Sequence, residues 1–507
     1  MAVALKQAAE AAQEYSTVRR TAALAAVLLS AAALRCFRLG ATSLWLDETF
    51  RVSLARMNAH DFLRGVLHPY GANSAAYHLL LRFWLVLGSS ETVLRSLSVI
   101  FGVATIVALF RLGAELFDPK TGWMAGALAA CNALLIRYSQ ETCAYTLAAL
   151  LAVLSALYLF RALQRGRRAD WLGYILASAV MLYCHVLTIL VVMAQAAPAF
   201  LLPRQYWIRR GAFSLAIVAA AFAPLGWCIA FAPPRPSVWL SPPGLHELVG
   251  YVGDVGGPDG SLLGLLFMVS ALAGLAYALR ERFTLESEGW RYLFLFSWAL
   301  LPPALLFTLS HWQPLFLTRY VLGSIPGLLL LTAAVIRRFQ HQWIRALCLS
   351  VLLLLSLRSS LLYLQHRSDF QSTDDWRHAT GYLVQQARAG DTIVFLYPYE
   401  RFPFNYYRER FAPGGFPAHV FPAGSDEAVL DNPYPSVGDA YAAATAAGSE
   451  RVWLVTEYLP NSKLLQLQEE LALRFQEPQA QHFGFIRVLL FTHPALKSEP
   501  SRPSVVK

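Results

Sequence analysis

Long apolar stretches separated by short polar ones set the rhythm of this chain. Eleven of them approach the roughly 20 residues that an α-helix needs to cross a bilayer. They are 21–39, 94–113, 121–137, 142–161, 170–186, 187–203, 212–231, 262–280, 290–310, 319–336 and 343–364. The fifth and sixth share a tight turn. A further stretch, 75–88 (AAYHLLLRFWLVLG), is short and carries Arg82 mid-run, which marks an interfacial helix. After 365 the rhythm changes. DTIVFLYP (391–398), RVWLVTEY (451–458) and FGFIRVLLF (483–491) read as buried strands, and 373–389 and 463–475 as amphipathic helices. The pattern predicts an α-helical polytopic membrane protein of about 11 transmembrane helices, with interfacial helices in its first outer loop and a small soluble C-terminal α/β domain. The expected boundaries are a cytoplasmic segment 1–20, a membrane domain 21–365, an extracytoplasmic α/β domain 366–495 and a disordered tail 496–507.

Composition sharpens this. The chain is 56% apolar and only 15% charged, where soluble proteins carry about a quarter charged residues. The net charge is +10, but the part from His366 onward is −3, so the basic excess belongs to residues 1–365. Loop position accounts for that excess without a nucleic-acid partner. Five alternate loops (111–120, RALQRGRR, PRQYWIRRG, RERFTLESEGWR and RRFQHQWIR) hold 15 Lys and Arg, whereas the four connections between them hold only Arg235 and Arg319. Basic loops stay cytoplasmic. The N-terminus is therefore expected inside an inner (plasma) membrane and the C-terminal domain outside. The six cysteines lie in or beside apolar segments, without metal-ligand spacing, and read as small core residues. No cleavage-site pattern follows the first apolar run, which reads as an anchor.

This topology sends polar chemistry to one face. Asp47 and Glu48 in SLWLDETF, and Glu141 in IRYSQETCAY, sit tight against apolar segments, where carboxylates are costly and tend to be functional. The plainer alternatives are that Asp47 caps a helix starting at Glu48, and that Glu141 is a first-turn glutamate with Ser139 as its cap. Gln140 and Tyr145 add hydrogen-bonding groups around Glu141. His185, in MLYCHVLTIL, is either structural or part of the same face. His311, Arg319 and Tyr320 frame a short outer loop. An outer-face arginine suits an anionic partner, because guanidinium matches phosphate oxygens bidentately; headgroup anchoring is the alternative. Arg35 and Arg38 raise the same question. His68 and His78 lack a closely spaced third ligand, so no metal site is assigned.

A single span, then LWLDE, then YHLLLRFWLVLG-SSETVLRSLSVIFG, then IRYSQETCAY, resembles the bacterial membrane glycosyltransferases of the GT-C superfamily. These are relatives of the protein O-mannosyltransferases and of the lipid A aminoarabinose transferase (glycosyltransferase family 39-like). The resemblance continues through LTRYVLGSIPG and DDWRHATGYLVQQARAGDTIVF. It implies transfer of a sugar from a polyprenyl-phosphate donor to a glycan, lipid or protein acceptor outside the cytoplasm. Asp47 matches the general base, with Glu48 beside it; Glu141 matches the second acidic site residue, and Arg319 a carrier-phosphate contact. No cofactor is required by the resemblance, although some relatives use a divalent metal. Where relatives often carry a Pro-rich stretch before the interfacial helix, this chain reads Asn73-Ser74-Ala75-Ala76-Tyr77-His78, so that helix starts differently. The chemistry is consistent: one placed carboxylate takes the acceptor proton, and a fixed cation stabilises the leaving phosphate. A retaining route would use Glu141 as a second carboxylate. Two other classes compete. A lipid or sugar transporter would place ionisable groups near mid-depth, often in repeated halves; neither is seen. A non-catalytic scaffold of envelope glycan assembly would make Asp47 dispensable.

Overall fold

The computed structural model describes residues 22, 24–203, 209–230, 241–367, 374–424, 426, 436–446, 449–457 and 462–493. The expected N-terminal segment 1–20 and tail 496–507 lie outside them. Each of the eleven apolar stretches forms helix, as a bilayer demands of backbone it cannot hydrate. Among the described residues, seven helices are long and apolar enough to cross: Glu91–Leu116, Tyr145–Arg165, Arg210–Cys228, Ser261–Ala278, Glu288–Leu309, Thr318–Arg337 and Gln342–Gln365. The other four stretches are shorter or broken helices. The first is Leu24–Cys36, and Arg168–Leu182 is the fifth. The third is split into Pro119–Cys131 and Ala133–Ser139 by Asn132, whose side-chain oxygen caps the second piece by accepting from the Leu135 N–H at 3.0 Å. The sixth passes from Ile189–Ala196 into a 3₁₀ turn at Pro198. The stretch expected to be interfacial forms Ala75–Trp84 and a further 3₁₀ turn, with Leu79, Phe83, Val86 and Leu87 exposed.

The chain divides into two compact units, 1–40 with 66–367, and 41–65 with 368–507. Segment 41–65, expected from the sequence to be the first outer loop, thus packs with the C-terminal residues. In the membrane unit, Tyr145–Arg165 and Thr318–Arg337 are the most enclosed helices, while Arg210–Cys228, Ser261–Ala278 and Gln342–Gln365 expose most of their apolar surface. Three buried polar groups tie helices together: Trp298 Nε1 donates to Gly323 O at 2.9 Å, Gln195 Nε2 to Ala152 O at 2.8 Å and Tyr292 OH to Ala334 O at 2.6 Å. Gly113 and Gly122 let two helices touch backbone to backbone; a Cβ added at 122 would lie 2.3 Å from Phe110 O.

Ion pairs gather the ends of the basic loops. Arg161 forks onto Glu115 with bonds of 3.0 and 2.8 Å, and Arg337 joins Glu288 at 2.5 Å and Asp118 at 3.5 Å. These loops therefore share one end of the unit. Glu141, Asp254 and Arg319 gather elsewhere, as described below.

The second unit is a mixed five-stranded sheet of β1 (Thr392–Phe395), β2 (His419–Phe421), β3 (Arg451–Thr456), β4 (Gln479–Phe483) and β5 (Ile486–Thr492), in the order β2-β1-β3-β5-β4. β1 is parallel to β2 and β3; β5 is antiparallel to β3 and β4. β1, β3 and β5 are the strands expected from the sequence. Their buried residues pack with Leu464, Leu467 and Leu471 of Ser462–Ala472. Trp376–Gln386 is the other expected helix; Arg401–Phe411 and Val437–Ala444 add to them.

Candidate functional site

In the membrane unit, Asn132 ends one helix and starts a two-turn helix, Ala133–Ser139, after which the chain turns through 140–144. Two glycine-scale details seat this turn. Ser139 Oγ donates to Leu135 O at 2.6 Å and accepts from Arg35 Nε at 3.2 Å, and a Cβ at Gly102 would lie 2.3 Å from that hydroxyl. The next helix begins at Tyr145 with Ala144 as N-cap. Glu141 is therefore not a first-turn residue, and Ser139 does not cap that helix.

Glu141 is only 4% exposed and pairs with Arg137 at 3.7 Å. Around it runs a chain of rings: Tyr138 meets Tyr145 at 5.3 Å, Tyr145 meets His185 at 5.8 Å, and His185 meets Tyr320 at 4.8 Å between centroids. A guanidinium lies at each end, Arg137 over Tyr138 and Arg319 over Tyr320, both at 5.4 Å. Arg137, Glu141, Arg319 and Asp254 all act electrostatically on the Tyr138 hydroxyl. Glu141, Tyr145, His185, Arg319 and Tyr320, spread over 180 positions of sequence, are thus brought together. His185 Nδ1 accepts from the Leu187 N–H at 3.3 Å, so the neutral ring carries its proton on Nε2. Asn73 accepts from the Val186 N–H at 2.8 Å. The unusual start of the interfacial helix thereby docks on the His185 turn.

Three sequence candidates stand apart. Gln140 Nε2 donates to the carbonyls of Arg35 and Phe37, both at 3.0 Å, tying the end of the first helix. His311 is exposed and its Nδ1 lies 3.0 Å from Phe307 O, at the end of its own helix. Arg35, a candidate for an anionic partner, is fully buried and donates to Ala31 O, Ala129 O and Ala130 O. Arg137, Tyr138 and Asp254 were missed; Arg137 stands four residues before Glu141, helical ion-pair spacing.

In the second unit, LWLDE starts the helix Leu46–Arg56, with Trp45 as N-cap and no side-chain cap. Asp47 is therefore not the cap; it lies in the first turn, where negative charge is favoured. The two acids differ. Glu48 is 0% exposed, whereas the Asp47 side chain is 37% exposed and lies 3.9 Å from Arg51. Arg401–Phe411 holds this helix: Tyr407 OH accepts from the Leu44 N–H at 2.8 Å, Phe50 meets Phe402 at 5.5 Å, and Arg56 pairs with Glu409 at 3.2 Å. Arg377 donates to Ala41 O and Thr42 O. Among the described residues, no group of three or more His, Cys, Asp or Glu is placed to hold a metal ion.

The family model described as dolichyl-phosphate-mannose-protein mannosyltransferase matches residues 74–227, which include the interfacial helix, Glu141 and His185. No curated protein matches the chain in sequence. Among solved structures, apo ArnT from Cupriavidus metallidurans aligns over 97% of this chain and 100% of its own, at 12% identity and a TM-score of 0.61. The same protein bound to undecaprenyl phosphate aligns over 95% and 99%, at 12% identity and 0.59. The Archaeoglobus fulgidus oligosaccharyltransferase in complex with zinc and sulfate aligns over 84% of this chain and 67% of its own, at 13% identity and 0.52. The chain therefore has an ArnT-like fold, and the resemblance to the GT-C membrane glycosyltransferases that its motifs carry is borne out.

Proposed function

We propose that this protein is an inverting glycosyltransferase that moves a sugar from a polyprenyl-phosphate donor to an acceptor hydroxyl on the extracytoplasmic face of the inner (plasma) membrane. The observation that carries this reading is the Arg137–Tyr138–Glu141–His185–Tyr320–Arg319 cluster. It supplies two cations and several hydrogen-bonding groups, in a fold shared with a protein crystallised with undecaprenyl phosphate.

Asp47 is the general base: it is the accessible member of its acid pair and sits at a helix N-terminus. The acceptor oxygen attacks the anomeric carbon as its proton passes to the Asp47 carboxylate. The bond from that carbon to the phosphate oxygen breaks, and its electron pair leaves with the phosphate. Arg319, aided by Arg137, stabilises the charge that develops there. One displacement inverts the anomeric centre. Glu141, enclosed and paired with Arg137, serves as a counter-ion that orients the guanidinium; this favours inversion over a route with Glu141 as nucleophile. Glu48, closed from solvent, supports the turn that carries Asp47.

The test is glycan and lipid profiling of a deletion strain, complemented with wild type or Asp47→Asn. The deletion should lose one envelope sugar and wild type should restore it. Asp47→Asn should reach the membrane folded, bind undecaprenyl phosphate and restore nothing. Full restoration by Asp47→Asn removes it as base; an unchanged profile in the deletion strain removes the transferase reading.

A further inference from the structure

Two neighbouring helices of the membrane unit start on arginines. Arg167 and Arg168 open Arg168–Leu182, and Arg209 and Arg210 open Arg210–Ala230, which packs beside it. One to two turns further in, the same helices wall a crevice. Trp171 and Tyr174 come from the first, Gly211 and Leu215 from the second. Leu159 and Leu163 of Tyr145–Arg165 and Phe200 of the 3₁₀ turn Ala197–Leu201 complete it. With its open mouth, the crevice amounts to about 300 Å³.

Its chemistry changes with depth. At the rim, Arg167, Arg168 and Arg209 are exposed and make no ion pair among the described residues. Arg210, also exposed, donates to Gly166 O. The neighbouring acids are committed elsewhere: Glu115 is held by Arg161 and Arg165, and Asp170 acts electrostatically on Arg161. The two helix N-termini add their positive dipole ends to this rim. One turn deeper stands Trp171, 5% exposed, whose Nε1 has no hydrogen-bond partner among the described residues. A buried donor left unpaired is costly, and hydrocarbon offers no water to satisfy it. Tyr174 meets Trp171 edge-on at 6.4 Å between centroids, and its hydroxyl has Ser178 as a neighbour. The indole is therefore the donor left over. Beyond it the wall is leucine.

We propose that this crevice binds one anionic phospholipid, held as a fixed part of the membrane unit. The phosphate lies among the four arginines, a glycerol ester carbonyl accepts from Trp171 Nε1, and an acyl chain fills the space between Leu159, Leu163 and Leu215. Phosphate, ester and chain follow one another in a phospholipid in the order that arginine, indole and leucine follow one another here. Trp171 is three residues beyond Arg168, about 4.5 Å along the helix. Three unpaired arginines favour an anionic headgroup over a zwitterionic one, since each basic residue at a membrane surface adds attraction for anionic lipid. A polyprenyl phosphate carries a phosphate and an apolar chain but no ester carbonyl, so the indole donor selects the phospholipid. A lipid seated between three helices stabilises the state that binds it. This inference does not rest on the transferase reading.

The experiment uses the full chain, purified in detergent and stripped of lipid, as wild type, Trp171→Phe and the double variant Arg167→Gln with Arg168→Gln. Phosphatidylglycerol, phosphatidylcholine and undecaprenyl phosphate are titrated in turn and bound lipid is counted by native mass spectrometry. Wild type should take up one phosphatidylglycerol about tenfold or more tighter than phosphatidylcholine. Undecaprenyl phosphate should leave that phosphatidylglycerol in place. Trp171→Phe should weaken phosphatidylglycerol about 2- to 10-fold, as expected for one hydrogen bond, and the double arginine variant about tenfold or more. Phosphatidylglycerol should raise the melting temperature of wild type more than that of either variant. Equal affinity for phosphatidylcholine overturns the proposal, as does a wild-type Kd in either folded variant. One-for-one displacement by undecaprenyl phosphate also overturns it, and assigns the crevice to that lipid. If Trp171→Phe does not fold, the arginine variant, altered only at exposed positions, decides.

Discussion

Replacing Glu400 by glutamine should flatten the pH dependence of the second unit's stability. Glu400 is fully buried at the end of the Pro398–Glu400 turn and opens Arg401–Phe411, the helix that holds Leu46–Arg56. Its Oε1 accepts from the Glu457 N–H at 2.7 Å. Burial pushes its carboxyl up to about 8, against 4.5 for a free glutamate; bonds from Glu457 and Thr456 oppose the rise and the nearby Asp374 adds to it. With the folded value above the unfolded one, the folded unit keeps a proton that the unfolded chain releases. Stability from this group is therefore fully present below about 4.5 and is lost as pH rises toward 8. Each pH unit in that window is worth about 1.4 kcal/mol, so between pH 5 and 7.5 Glu400 accounts for about 3 kcal/mol. Glu457, raised well above its usual range by burial and by Asp374, slopes the same way and will remain in the variant. Glutamine keeps the shape and the acceptor for the Glu457 N–H but cannot titrate. Pulse proteolysis of the full chain in urea, read from a C-terminal epitope at pH 5, 6, 7 and 7.5, measures the open population. The stability difference, variant minus wild type, should grow by about 3 kcal/mol across that range. Parallel curves would refute the buried-carboxyl argument.

Three further outcomes bear on the membrane unit. Gly122→Ala should lower its melting temperature by an amount equivalent to about 1–3 kcal/mol, since the new methyl meets Phe110 O; an unchanged melt would contradict the close helix approach. Arg319→Ala should weaken undecaprenyl phosphate binding about 10- to 100-fold, in line with one charge-assisted bond of about 1.5–3 kcal/mol; wild-type Kd in that variant removes Arg319 from the phosphate. In a cysteine-free background, His311→Cys should react with an impermeant thiol reagent added outside and Gln164→Cys should not, both positions being exposed. Reversed labelling overturns the orientation.

Helices, sheet class and most of the candidate cluster were legible along the chain. A bilayer allows apolar backbone few alternatives to helix, so hydropathy alone located the helical segments, seven of which are long and apolar enough to cross among the described residues. β1, β3 and β5 were legible because they are buried and β-branched. β2 and β4 were not, because an exposed edge such as Gln-Ala-Gln-His-Phe carries no apolar alternation. Arg401–Phe411 went unread because Pro403 and its scattered charges hide the helical period.

What the tertiary structure alone decided is which neighbour of a pair is exposed and which partner each side chain meets. Asp47 and Glu48 are adjacent acids with the same local chemistry; burial of one and exposure of the other follows from what packs on Leu46–Arg56. Gln140 and Glu141 are both buried and differ instead in partner, one amide spent on the carbonyls at the end of the first helix and one carboxylate held by Arg137. Sequence determines the period and charge of an element, which are local properties. Which face of it meets another element is a property of residues tens to hundreds of positions away, and in this chain that is where the candidate chemistry is settled.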